Sequence, residues 1–374
     1  MADAQAPAQA LSAPARQAAD GKVGIAALAT HPVRIDVRSP SEFALDHIPG
    51  AINLPVLDDA QRAEIGTLHA RESAFVAKQR GAAIVARNIA RIIEAHCEGK
   101  PRDWAPVVYC WRGGKRSGAL THVLQQIGWR AVQLDGGYQT WRRHVVAALT
   151  TLPARFRYVV VCGLTGSGKS RLLTALSAAG AQVLDLEELA KHRGSLLGDL
   201  PGDPQPSQKW FETQVLATLE GFAPDRPVFV ESESRRIGTI QVPEALLVAM
   251  RTSPCVRVAT PQPLRVALLK EEYAHFLADP DALAAKLAHL VPLHGHATIQ
   301  QWNDAARAGD FDTMVDDLLV RHYDPTYSRS IERNFPRVAD ALTVVPAGIA
   351  IAEFRALAEQ VIAAVERPVP ETTP

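Results

Sequence analysis

Short apolar runs alternate with longer stretches of helical spacing along most of the chain. Val33-Arg34-Ile35-Asp36-Val37 predicts a strand closed by Arg38-Ser39-Pro40. Ser41-Glu42-Phe43 opens a helical turn, and Ile48 to Leu54 turns into a second strand. Over residues 72–97, Phe75, Ile84, Ile89, Ile92 and Ile93 fall at helical intervals. Pro106 to Cys110 predicts a buried strand, followed by a glycine loop and a helix from Ser117 to Ile127. Ala131 to Leu134 is a further strand, and Gly136-Gly137 turns towards Trp141. After Thr150-Thr151-Leu152-Pro153 the pattern restarts. Tyr158 to Cys162 is continuously apolar, as expected of a strand covered on both faces. Ala181 to Leu186 and Pro227 to Glu231 predict more strands, and 261–330 reads as mostly helical. No internal repeat is present. Strands alternating with helices predict α/β architecture with parallel sheets. The expected organisation is a tail over 1–20 too poor in large apolar residues to fold, an α/β domain over 21–150, a second α/β domain with a helical C-terminal extension over 151–360, and a loose tail over 361–374.

Composition narrows the function. A chain of 374 residues suits two or three domains. Hydrophobic residues at 47% and charged residues at 21% are ordinary for a globular protein. Lys plus Arg and Asp plus Glu both number 40, which excludes a uniformly basic nucleic-acid coat but leaves room for local basic clusters. No apolar run reaches the ~20 residues of a membrane helix, so no membrane partner is expected. Four cysteines without a C-x-x-C pair give neither a disulfide framework nor a structural zinc site. The N-terminus lacks the basic start and apolar centre of a signal peptide. A cytoplasmic, reducing setting is therefore expected, in which a cysteine stays a thiol.

The first candidate site is Cys110-Trp111-Arg112-Gly113-Gly114-Lys115-Arg116, between a predicted strand and a predicted helix. Gly113 and Gly114 let the backbone curl so that its N–H groups point inward, and a helix N-terminus behind them favours an anion. Arg112, Lys115 and Arg116 add positive charge. The combination suits a nucleophilic thiolate at Cys110 with an anion held beside it. Cys97, Cys162 and Cys255 lack this setting and read as structural.

The second is Gly163-Leu164-Thr165-Gly166-Ser167-Gly168-Lys169-Ser170, which fits the phosphate-binding pattern G-x-x-x-x-G-K-[ST] between a strand and a helix. Gly163, Thr165, Gly166, Ser167 and Gly168 would wrap phosphates with backbone N–H groups. Lys169 would reach the terminal phosphate, and the Ser170 hydroxyl would bind Mg²⁺. Glu231, at the end of a strand, is the candidate for an acid related to that Mg²⁺. Asp185, Glu187, Glu188, His192 and Arg193 follow the next predicted strand, where small kinases hold an acceptor, and are weaker candidates. No tightly bound cofactor is expected.

Ile35 to Phe43 and Asp46 to Pro55 resemble the opening signature of a rhodanese domain, and Leu134 to Trp141 resembles its closing signature. Asp36, Glu42 and His47 within it read as turn and cap residues. The five residues between Cys110 and Arg116 make a longer loop than that of common sulfurtransferases, wide enough for phosphate or selenophosphate. Fusion of this domain to a phosphate-loop domain, with Val230-Glu231-Ser232-Glu233-Ser234-Arg235-Arg236, His192-Arg193-Gly194-Ser195 and His322-Tyr323-Asp324-Pro325, resembles the tRNA 2-selenouridine synthase family over roughly 32–330. The resemblance implies a transferase acting on wobble 2-thiouridine of tRNA. The sulfur is first alkylated with geranyl diphosphate, and selenophosphate then supplies selenium. A selenophosphate-producing enzyme is the implied partner. Arg142, Arg143, Arg155, Arg157, Arg235 and Arg236 are the candidate tRNA contacts. Two other readings stay open from the residues alone: a C-x5-R phosphatase fused to a kinase-like domain, and a non-catalytic sulfur carrier or RNA-binding module.

Overall fold

The computed structural model describes residues 21–366. The tail expected over 1–20 lies outside the described residues, as does the end of the chain from 367. The chain divides into two compact units at Val145/Val146, within the helix Gly137–Thr151.

The first unit is a five-stranded, all-parallel sheet. Its strands are Lys22–Val23 (β1), Arg34–Asp36 (β2), Ala51–Asn53 (β3), Val107–Tyr109 (β4) and Val132–Leu134 (β5), in the order β1-β5-β4-β2-β3. β4 is central and fully buried, so its C-terminal end delivers Cys110 to the place where α/β sheets carry their sites. The core beneath it combines Ile35, Val37, Val108, Leu120 and Leu124. The opening signature folds around a buried ion pair, in which Arg38 donates to Asp36 at 2.6 Å. The same guanidinium donates to the Asp46 carbonyl and lies 4.0 Å from the Tyr138 ring centroid. The helix expected over 72–97 is Ala74–Ile92 with a widened final turn, Ile93–Cys97. A further helix, Asp59–Arg71, precedes it, started by an Asp58–Gln61 capping box.

The second unit carries Arg157–Cys162 (β6), Gln182–Leu184 (β7), Pro227–Glu231 (β8), Cys255–Val258 (β11) and Leu342–Val344 (β12), all parallel, in the order β12-β11-β6-β8-β7. Arg236–Ile237 (β9) and Ile240–Gln241 (β10) form a separate hairpin. β6 is the central strand, and the phosphate-binding loop follows it into the helix Lys169–Ala178. Residues 361–365, expected as part of a loose tail, are helical instead. The helix Ile351–Val365 buries Phe354, Leu357, Ala358 and Val361 against the core, and this apolar face keeps the chain ordered through Val365. Phe354 packs directly beneath Gly168, where any Cβ would meet its ring. The helix Ile351–Val365 is therefore part of the support of the phosphate loop.

Candidate active sites

Cys110 lies just past β4 with 4% of its surface exposed. Its Sγ accepts from the Gly114 backbone N–H at 3.3 Å and from the Ser117 hydroxyl at 3.2 Å. Gln133 on β5 fixes that hydroxyl by donating to it at 2.8 Å and to the Gly114 carbonyl at 2.9 Å. The loop is anchored to the closing signature through backbone bonds, from the Tyr138 N–H to the Cys110 carbonyl at 2.8 Å and from Gln139 to Trp111 at 3.0 Å. The Gly113 backbone runs so close to Leu134 and Gly136-Gly137 that a side chain there would strike the Leu134 carbonyl, and its φ of 59° is strained for any other residue. Gly113 and the Gly136-Gly137 turn thus pack backbone on backbone and hold the loop in place.

The basic residues of the loop divide. Arg112 and Lys115 are exposed. Arg116, expected to hold an anion, donates to Glu42 at 2.7 and 3.3 Å. Glu42 also caps Ser39, and Arg116 helps to hold its carboxyl below the ordinary range against the opposing effect of burial. A residue read as a cap therefore also ties the opening signature to the cysteine loop. Half-buried Trp111 tilts against Tyr138, with centroids 5.2 Å apart. Cys97 and Cys162 are fully buried, and burial pushes the Cys97 thiol up, in keeping with structural roles.

In the second unit the phosphate loop lines a cavity of about 1340 Å³ together with Asp185, Glu187, Arg193, Glu272, Tyr273 and Tyr327, among others. Lys169 is buried. Its ammonium donates to the Gly163 carbonyl at 3.1 Å and stands 5.2 Å from the Tyr327 ring centroid. The loop is braced from outside: Arg265 donates to the Thr165 carbonyl at 2.9 Å and is clamped by both carboxylate oxygens of Asp324, while Thr260 donates to the Ser167 carbonyl at 2.6 Å.

Glu187 meets the loop, accepting from the Ser170 hydroxyl at 3.3 Å. Glu231 takes a supporting place: it is 1% exposed and accepts from the Glu187 backbone N–H at 2.7 Å. Its Oε2, and Oε1 of the buried Glu233, are enclosed without hydrogen-bond partners. Among the described residues no three His, Cys, Asp or Glu side chains form a metal cage. A Mg²⁺ that keeps water and phosphate ligands needs only one or two protein oxygens, and Ser170 with Glu187 fits that demand.

Burial, then mutual repulsion, pushes Glu231 and Glu233 well above the carboxylate range, and burial pushes Asp185 up to about 6. An acid raised on folding binds more protons folded than unfolded, so stability falls as pH rises from the unfolded value through the folded one. Glu233→Gln removes one such acid. It is expected to raise the thermal midpoint by a few degrees at pH 8, with the gain vanishing towards pH 4. A midpoint lowered equally across that range would show that the carboxylate is stabilising instead.

Beside the phosphate cavity lies a narrow apolar pocket of about 50 Å³, lined by Leu269, Phe276, Leu283, Met314 and Leu318. Thr165, Ser195, Leu269 and Tyr273 border both spaces. The sequence pattern singles out neither Tyr273 and Tyr327 nor the Arg265–Asp324 clamp as site residues, because their part depends on long-range packing; only Asp324 carried a hint, as a resemblance residue.

The candidate RNA contacts are spread out. Arg142 and Arg143 lie on the helix Gly137–Thr151, Arg155 ends the turn Leu152–Arg155, and exposed Arg157 donates to the Asp225 carbonyl at 3.2 Å. Arg235 and Arg236 are exposed at the β9–β10 hairpin. Among the described residues no helix is long and apolar enough to cross a membrane.

Comparison with known proteins gives two family matches. Residues 25–144 match the rhodanese-like domain, and residues 156–286 match the domain described as the tRNA 2-selenouridine synthase AAA domain. The relatives include the tRNA 2-selenouridine synthase of Nitrosomonas europaea, 34% identical over 69% of this chain and 67% of its own length. That of Cupriavidus necator is 32% identical over 81% of this chain and 89% of its own. The Sulfurovum sp. protein of the same description is 31% identical over 81% and 90%.

Proposed function

The chain belongs to the tRNA 2-selenouridine synthase family, and from that premise we propose that it modifies tRNA in two steps, one at each loop. In the first, the phosphate loop holds geranyl diphosphate. The thiocarbonyl sulfur of wobble 2-thiouridine attacks the first carbon of the chain. The C–S bond forms as the C–O bond breaks, the electron pair leaves on the diphosphate, and the N3 proton goes to solvent. Lys169 neutralises the diphosphate, and a Mg²⁺ on Ser170 and Glu187 would add charge to it. The observation that carries this step is the apolar pocket opening beside the phosphate cavity, since a prenyl diphosphate is an anion joined to a hydrocarbon. The pocket must widen to take ten carbons, and Met314 is a side chain suited to yielding.

In the second step the alkylated sulfur is replaced by selenium from selenophosphate. Selenium is already fully reduced in that donor, so storing it on Cys110 as a perselenide would need an oxidant. The balanced route is attack of Cys110 Sγ on phosphorus. The P–Se bond breaks with its electron pair on selenium, and the released hydrogenselenide attacks C2 of the base. Geranylthiol leaves, and water hydrolyses the phosphocysteine to phosphate. Gly114 and Ser117 orient the sulfur, while Arg112 and Lys115 attract the anion. Exposed Arg143, Arg155, Arg157, Arg235 and Arg236, with half-buried Arg142, are the proposed tRNA contacts, and a selenophosphate-producing enzyme is the proposed upstream partner.

Incubation with 2-thiouridine tRNA, geranyl diphosphate and selenophosphate, followed by mass spectrometry of the nucleosides, is expected to show the S-geranyl base and then 2-selenouridine. Unchanged 2-thiouridine, or release of phosphate without a modified base, would reject the reading.

A further inference from the structure

We propose that Arg193 is a second anion-binding and catalytic residue of the phosphate cavity, holding the outer oxygens of an organic diphosphate and stabilising it as the bond to its organic group breaks. This rests on the reading that the loop binds such a diphosphate.

The segment His192-Arg193-Gly194-Ser195 is built to present that guanidinium. Lys191 ends the helix Leu186–Ala190 in the left-handed conformation, and the chain then turns back on itself. Buried His192 accepts from the Gly194 N–H at 3.1 Å through Nδ1 and faces Asp199 at 3.4 Å through Nε2. The Arg193 N–H donates to the Gly198 carbonyl at 2.9 Å. Gly194, with φ 65°, lies so close to the acids that a Cβ would stand 2.8 Å from Glu187 Oε1 and 2.9 Å from Glu233 Oε1. The backbone on both sides of Arg193 is therefore fixed against the carboxylates around the phosphate loop.

The side chain itself is incompletely satisfied. Its guanidinium lies 4.8 Å from the Tyr273 ring centroid, and its Nη1 is enclosed without a hydrogen-bond partner. Glu187 and Glu272 are near enough for their charges to be felt, yet neither takes up that N–H. An enclosed guanidinium donor left unpaired is costly, and the cost is removed when an anion arrives. Arg193 lines the same cavity as Lys169, and its stacking partner Tyr273 borders both that cavity and the apolar pocket. Phosphates in the loop and a chain in the pocket put the breaking C–O bond at this border. Arg193 is thus placed to meet the charge that grows on the departing diphosphate, where a preorganised donor lowers the barrier most.

The test uses the full chain with Arg193→Gln and Arg193→Lys, inorganic pyrophosphate as the binding probe, and geranyl transfer to 2-thiouridine tRNA. Arg193→Gln is expected to weaken pyrophosphate binding about 10-fold and to lower kcat about 100-fold, with a smaller change in the KM for tRNA. Arg193→Lys keeps the charge but loses the fork, and should recover part of kcat. Wild-type pyrophosphate affinity and kcat in Arg193→Gln would overturn the proposal. So would equal losses in both variants accompanied by a fall in thermal midpoint, which mark a packing role. If the wild type turns over ATP rather than geranyl diphosphate, and Arg193→Gln impairs that turnover, the anion role stands and the prenyl reading of the site fails.

Discussion

Cys110→Ala is expected to lower selenium incorporation by about 10³-fold or more while leaving geranylation at the wild-type rate. The split follows from where the cysteine sits. Its sulfur is held at the end of the central strand of the first unit between two donors, Gly114 N–H and the Ser117 hydroxyl, and takes no part in the phosphate loop of the second unit. Replacing it by Ala removes a small, buried group, so the fold should persist with a modest loss of stability. Supplying hydrogenselenide directly should then restore 2-selenouridine in Cys110→Ala, because the variant lacks only the group that releases selenium from phosphorus. Cys97→Ala serves as the matched control, being fully buried in the same core as Cys110. Selenation of geranylated tRNA by Cys110→Ala from selenophosphate at the wild-type rate would rule out the assigned role. Failure of hydrogenselenide to rescue would mean that Cys110 also acts on the base.

What the sequence made legible depended on how local the physics was. The strand–loop–helix around Gly163 to Ser170 and the loop after Tyr109 are contiguous, so their motifs could be read locally, although Gly113 and Gly168 pack against Leu134 and Phe354, far along the chain. The strands β11 and β12 were not anticipated. β12 joins its sheet beside β11 after an intervening helical stretch, and three residues carry too little periodicity to announce a strand whose partner is that distant. The helix Asp59–Arg71 buries no side chain, so it has no apolar face for a pattern to reveal. At the site, the strand-end position of Glu231 drew attention to it, but the acid that meets Ser170 is Glu187, at the start of the helix after β7. Only the parallel pairing of β7 with β8 brings those two acids together. Arg116 shows the converse. Its charge was plain in the loop, but its partner Glu42 lies 74 residues away.

Lys169→Ala should lower geranylation by at least about 100-fold and abolish pyrophosphate binding, yet leave selenation intact when tRNA already carrying the S-geranyl group is supplied. Lys169 is the buried cation of the phosphate cavity, and its ammonium donates to the Gly163 carbonyl with the Tyr327 face beside it. It also offsets the field of Glu187 and Glu233, which otherwise repel one another and any arriving anion. Its loss therefore acts twice: the diphosphate loses its closest positive charge, and the uncompensated acids oppose entry. Because those acids are pushed towards their neutral forms by burial, lowering the pH should return a little pyrophosphate affinity to the variant, whereas a residue lost for structural reasons alone would show no such recovery. Geranylation at the wild-type rate in Lys169→Ala would refute the placement of the diphosphate in this loop. Loss of selenation on pre-geranylated tRNA would refute the division of the reaction between two loops, since the second step, as derived from Cys110, draws nothing from Lys169.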